Sequence, residues 1–474
     1  GENAKTQWAY KQAFAREAEK RSLALSEAAL KKPMPAAPPK SIRQIIDIYN
    51  TTSWPRTDVV LIPKNLSGSG DLVKDESGKP VLSQRLSSGE LAVFVGDVPP
   101  FGAKRYSIEK GKPLERGAAR AESNRLENGL ISVSVNPKTG ALSGFKWKTH
   151  KNIEFVDGSK GSGLNEYLYV PGKDPKKARG ASRVRISVKE PGPLVASLFI
   201  ESDAPGSKNL KTELRICDSL DRLDIINLLD KAKVREKESV HFSYPFKIPA
   251  GSLRLDLGWG IIRPEFDQIP GSCKDYFCVQ NSVDISNLDY GLTWVSLDAP
   301  LVEIGQITDE SAVEKSVRAW RTELEPSQTI YSYAMNNYWH TNYKADQEGV
   351  VSFRYSIRPH RGWESAEIKR FGLEKSQPLI VAPSAANSKP PAASLLEVEP
   401  SSVIVTSLKP GADKKCWIAK LYNASGRPEN IKLRGAICRE GSIYLSNPSE
   451  DRLEKARDGL VLLPFEIVTL RIEK

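Results

Sequence analysis

Beyond its first forty residues the sequence is built from runs of five to eight residues rich in Val, Ile, Thr and Tyr, closed by clusters of Gly, Pro, Asn or Asp. Runs of that length are strands, and turn clusters at such short intervals leave no room for the crossover helices that parallel sheets need. The pattern predicts antiparallel sheets packed face to face, a β-sandwich assembly rather than alternating βαβ units. At 474 residues with a 39% hydrophobic share, the chain can bury ordinary cores in about three domains.

The exception is the N-terminus. From Lys5 to Lys32 the chain is rich in Ala, Glu, Lys, Arg and Leu and has no Gly or Pro, which predicts one long helix. Tyr10, Phe14, Ala18, Leu25 and Ala29 fall on one apolar stripe, and Trp8, Ala15, Leu23 and Leu30 on a second beside it. Two stripes need two sets of neighbours, as in a helical bundle, yet no later segment offers helices of similar length. Residues 1–32 are therefore expected to be the terminal helix of a bundle whose other helices lie upstream.

Residues 33–39, with four prolines, cannot continue that helix and form a linker. A small β-domain is expected over 40–118, a large sandwich over 119–375, a second linker over 376–394 and a terminal sandwich over 395–474. No repeat of fixed period is present.

The net charge of +11 is spread along the chain, with 69 basic residues among 58 acidic ones and no basic-aromatic module, so no nucleic-acid partner is expected. No apolar run approaches the roughly 20 residues that span a bilayer, so no membrane partner is expected either. Five cysteines are too few for a disulfide scaffold, and Cys273 and Cys278 lack the His or second Cys pair that would make them half of a zinc site. The compartment stays open, with a periplasmic or secreted setting favoured over a cytoplasmic one.

Several segments, in order, resemble the C-terminal region of glycoside hydrolase family 38 α-mannosidases. They are Asn50-Thr51-Thr52-Ser53-Trp54-Pro55-Arg56, Asp97-Val98-Pro99-Pro100-Phe101-Gly102, Leu126-Glu127-Asn128-Gly129-Leu130 followed by Asn136-Pro137, and Gly291-Leu292-Thr293-Trp294. The run Asn336-Asn337-Tyr338-Trp339-His340-Thr341-Asn342 is similar to bacterial members, and the closing Leu463-Pro464-Phe465-Glu466 to their last strand. The resemblance implies a mainly β fold with several β-sandwich domains, including a large galactose-mutarotase-like super-sandwich, after one long N-terminal α-helix.

It also implies a role. In the family these domains follow a catalytic β/α barrel and a three-helix bundle, and the enzyme cleaves mannose-containing oligosaccharides with a zinc ion held by two His and two Asp. Retaining hydrolysis needs a nucleophilic carboxylate and an acid about 5 Å apart. Those groups belong to the barrel, so this chain is expected to carry no catalytic residue, no metal site and no cofactor, with zinc in the missing catalytic domain. Its four histidines, His150, His241, His340 and His360, show no metal-ligand spacing.

Candidate substrate contacts are four. Asn165-Glu166-Tyr167-Leu168-Tyr169-Val170-Pro171 resembles a family segment whose Tyr reaches the sugar in the barrel; Tyr167 holds that position, although Glu166 stands where the family has a small residue. A half-buried strand tyrosine is the alternative. Asn337, Trp339 and His340 lie in a polar-aromatic run suited either to lining a sugar groove or to packing between domains. The basic cluster from Lys173 to Arg185 fits either a solvated loop or a surface for anionic glycans. A freestanding carbohydrate-binding or scaffold protein, and an enzyme working in the groove of the large sandwich, are the other readings.

Overall fold

The computed structural model describes residues 2–30, 43–310, 320–338, 344, 346–385, 391, 393–439, 441–457 and 459–473. The expected linker 33–39 lies outside them. The first element is the helix Glu2–Leu30. Much of its apolar surface stands in solvent: Phe14 is 61% and Leu25 73% exposed, and Tyr10 and Leu23 stand out likewise, while Trp8 and Leu30 are half-buried.

Every strand pairing in the sheets is antiparallel, as short hairpin connections require. The small domain has two sheets. One contains Arg43–Asn50, Gly102–Glu109, Leu72–Asp75 and Pro80–Val81; the other contains Arg56–Ile62, Leu91–Val98 and Ser83–Arg85. Ile46, Ile48, Val93, Val95 and Ile108 fill the space between. The segment 376–394 is not only a linker. It contains the strand Ile380–Ser384, which pairs with Arg43–Asn50 and closes the edge of the small domain's sheet after the chain has run through the whole large sandwich.

The large sandwich packs a nine-stranded sheet, running from Ser182–Pro191 at one edge to Gly260–Ile262 at the other, against a six-stranded sheet. A five-stranded sheet over 120–154 joins the same core. Alternation places Leu214, Ile225, Tyr355 and Trp294 of the larger sheet against Phe242 and Tyr244 of the smaller. Gly291 is required by close approach, since a Cβ there would sit 2.3 Å from Ser286 Cβ and 2.8 Å from the His360 ring.

The helix Ser365–Ser376 follows the last strand of the large sandwich and locks the domains together. Arg56, buried in the small domain, donates through Nη1 to the Gln377 carbonyl at 2.7 Å and through Nη2 to the Glu374 carbonyl at 3.0 Å. These are the orphan acceptors of a helix C-terminus, where a guanidinium also meets the negative end of the macrodipole. Beside it, the Trp54 indole donates to Glu374 at 2.8 Å, and Ser53 Oγ accepts the Val405 N–H of the terminal sandwich at 3.0 Å. Trp54, Leu373, Ile404 and Tyr422 make a shared apolar cluster across the three units.

Arg56→Met is therefore expected to lower stability by about 2–4 kcal/mol, by removing the charged donor from two helix-end carbonyls. Arg56→Lys should recover little, because an ammonium cannot fork to both. Thermal unfolding of the two variants checks this, and an unchanged Tm in Arg56→Met would contradict the role.

Candidate functional site

The strand Glu238–Pro245 is buried at all eight positions. Val240, Phe242 and Tyr244 face the core, so period-two alternation puts Ser239, His241 and Ser243 on the opposite face. Polar side chains buried there need partners, and the neighbouring strands supply them. Ser239 Oγ lies 2.8 Å from His241 Nε2, and His241 Nδ1 lies 2.9 Å from Glu303 Oε2, at an angle outside a good hydrogen bond. Glu303 Oε1 accepts the Thr308 N–H at 2.8 Å. Tyr333 stacks on the His241 ring at 4.6 Å, and the Tyr338 hydroxyl lies 2.9 Å from both Ser239 Oγ and the Gly172 carbonyl. A carboxylate facing Nδ1 favours the tautomer protonated there, which leaves Nε2 to accept from Ser239. Burial pushes the Tyr338 phenol well up, so it remains a donor into this row.

Ser239 also borders a 370 Å³ cavity with Lys231, Glu238, Asn336, Asn337 and Asp346, and Gln12 of the N-terminal helix stands on its rim. Lys231 Nζ lies 2.7 Å from Glu238 Oε1, both residues nearly fully buried, and also donates to the Ala232 carbonyl at 2.8 Å. Glu238 Oε2 has no well-formed hydrogen bond among the described residues. Burial raises the nearby Tyr169 hydroxyl, and its bond to Glu238 raises it further. Asp346 lies between Lys344 at 3.0 Å and Arg235 at 3.4 Å. The charges at this cavity occur in pairs.

The sequence-predicted residues separate here. Tyr167 is 2% exposed, packs edge-on to Phe242 at 5.9 Å and donates its hydroxyl to the Pro205 carbonyl at 2.5 Å. Its register opposite Phe242 fixes it on the core face, so in this chain it takes the strand-tyrosine role rather than facing a sugar. Asn337 does reach the cavity, but its amide braces backbone, accepting the Glu238 N–H at 2.7 Å and donating to the Glu236 carbonyl at 2.8 Å. Trp339 and His340 lie outside the described residues. Within the basic cluster, Arg183 is ion-paired with Asp203, and most of the other side chains stand in solvent.

Spacing along the chain did not reveal the two buried His–carboxylate pairs. His241 meets Glu303, and His360 Nε2 meets Asp284 Oδ2 at 2.7 Å, each across two strand pairings. The available signal was a Ser two residues before a His in an alternating strand. Among the described residues no three His, Cys, Asp or Glu side chains converge as metal ligands do, so the zinc of the family resemblance finds no fit there. No described helix is long and apolar enough to cross a membrane.

Residues 402–470 match the glycosyl hydrolases family 38 C-terminal beta sandwich domain. A family 38 glycosyl hydrolase and an α-mannosidase, both from Enterococcus faecalis, share the fold at 15% identity and TM-score 0.70. The alignments cover 92% and 91% of this chain but 59% and 56% of those proteins, so the chain spans less than two thirds of their length. A galactose 1-epimerase from Lactobacillus acidophilus aligns over 50% of this chain and 94% of its own, at 10% identity and TM-score 0.31. Among curated proteins none matches. The chain thus resembles the C-terminal region of family 38 enzymes, in its last sandwich by sequence and over most of its length by fold.

Two measurements test the electrostatics. Glu238→Ala leaves the Lys231 ammonium buried without its partner and is expected to cost about 3–5 kcal/mol, whereas the paired change Lys231→Met with Glu238→Leu should restore most of it. Equal losses in the single and double variants, measured by denaturation, would contradict this. For His360, burial alone would lower the pKa, but the hydrogen bond and charge of Asp284 outweigh it and raise it above 6.5. A raised folded-state pKa gives stability that is full below the unfolded value and is lost as pH rises through the folded value. Tm should therefore fall as pH climbs from about 6.5, and His360→Gln should flatten that slope.

Proposed function

We propose that this chain is the non-catalytic, β-rich C-terminal portion of a family 38 type α-mannosidase acting on mannose-containing glycans, and that it supports a catalytic barrel and supplies part of the substrate-site wall. The observation that carries the reading is the family 38 match at 402–470 joined to a fold shared over 92% of the chain with a protein of which it spans 59%. The exposed stripes of Glu2–Leu30 support it, because Phe14 and Leu25 form an apolar face of the kind that helices of a bundle bury. The 370 Å³ cavity lies between that helix and the six-stranded sheet, so a barrel seated on the helix would stand at its mouth. Asn337, whose amide oxygen accepts the Glu238 N–H, holds the backbone of this wall.

The row Ser239–His241–Glu303 looks like a nucleophile with its base, but Ser239 and His241 are each 1% exposed and Glu303 is 0%. A nucleophile must reach its substrate, so the row acts as a rigid floor under the cavity. Zinc, the nucleophile and the acid are supplied by the barrel.

Assayed alone with an aryl α-mannoside and zinc, the purified chain is expected to show no turnover above buffer. Zinc-dependent turnover by this chain would contradict the reading. Phe14→Glu with Leu25→Glu should leave its Tm unchanged, since neither side chain is buried in the chain by itself.

A further inference from the structure

Where the three β units meet, a second cavity of 430 Å³ opens beside the Arg56 lock, within the ordinary range of about 300–1,000 Å³ for small-ligand sites. Its walls include Thr51 of the small domain, Trp259, Gln280 and Asn281 of the large sandwich, Gln377 after the helix Ser365–Ser376, and Thr406 of the terminal sandwich. The ionised groups around it are committed elsewhere. Lys369 Nζ is bonded to Asp256 and to Gln280 Oε1, and Glu374 accepts from Trp54 and lies 3.6 Å from Arg358. What faces the cavity is aromatic surface with neutral amides and hydroxyls.

Trp259 is the unusual wall. The tip Gly258-Trp259 of the hairpin between Ser252–Leu257 and Gly260–Ile262 has positive φ at both residues, +38° and +71°. Such a turn favours Asn-Gly, and a bulky side chain in the left-handed region persists only where its surroundings hold it there. Lys369 Nζ lies 4.7 Å over the indole and Tyr422 meets it edge-on at 5.7 Å, which fixes the ring while leaving it part of the cavity wall. Next to it, Asn281 is 9% exposed and its side chain makes no hydrogen bond with any described residue. Gln280 uses Oε1 for Lys369 and for the Trp259 N–H, which leaves its NH₂ group to donate.

We propose that this junction cavity is a binding subsite for a neutral saccharide, separate from the cavity at Glu238. The CH face of a pyranose packs on the Trp259 indole, and its hydroxyls bond to the Asn281 amide and the Gln280 NH₂ group. A flat aromatic wall beside unspent amides, with no free charge, selects polyhydroxylated neutral rings over anions or cations. The subsite does not depend on whether the chain serves a catalytic barrel.

The test is saturation-transfer NMR of the intact chain with mannobiose, cellobiose and lactose at millimolar concentration. At least one disaccharide is expected to bind and to weaken about tenfold or more in Trp259→Ala. Ser407→Trp fills the cavity while leaving Trp259 in place, so it should abolish binding even if Trp259→Ala proves too unstable to read. Binding of none of the three, or binding that survives Ser407→Trp, would overturn the proposal.

Discussion

The molecule depends on one buried cation at a helix end. Arg56 satisfies the terminal carbonyls of the helix Ser365–Ser376, and that helix is the only described α-helix packed within the β body. The same turn presents Trp54 to the helix and Ser53 to the terminal sandwich, so three separate hydrophobic cores are held in register by a few directed bonds. Sandwiches packed only by apolar contact would slide, because hydrophobic burial is non-directional. A charged fork on two carbonyls has one geometry. The return of Ile380–Ser384 to the first domain's sheet adds a topological clasp to the same junction.

That junction also explains what the resemblance motifs do. Asn50 opens the first one and donates to the Trp54 and Val98 carbonyls, while its Oδ1 accepts from Thr52. Asn128 in the third donates to the Cys217 and Leu220 carbonyls and accepts from Leu130 and Ile131. Asn423 does the same in the last sandwich, with its amide shared among the Arg427, Leu462 and Leu463 carbonyls. Asn50 and Asn423 are thus buried turn locks.

Alternation and turn chemistry made the β architecture legible from residues alone, and the N-terminal helix stands where its composition put it, with most of its first apolar stripe exposed. Candidate contacts were harder because they depend on register. A one-residue difference in phase puts Tyr167 in the core and its neighbour Glu166 on the other face, and no local pattern sets that phase. The His241–Glu303 and His360–Asp284 pairs are joined only through strand neighbours far apart in sequence. Ile380–Ser384 was hidden by its Pro and Ser content, which an edge strand tolerates.

The central claim, that the chain is built to serve a catalytic half docked on its N-terminal helix, is tested most directly by hydrogen exchange of the chain with and without the barrel and bundle of a family 38 enzyme. The account predicts new protection along Glu2–Leu30 and around Lys231, Glu238 and Asn337, with Val403–Pro410 and Cys416–Asn423 unchanged. No added protection on the helix, or protection confined to the terminal sandwich, would contradict it.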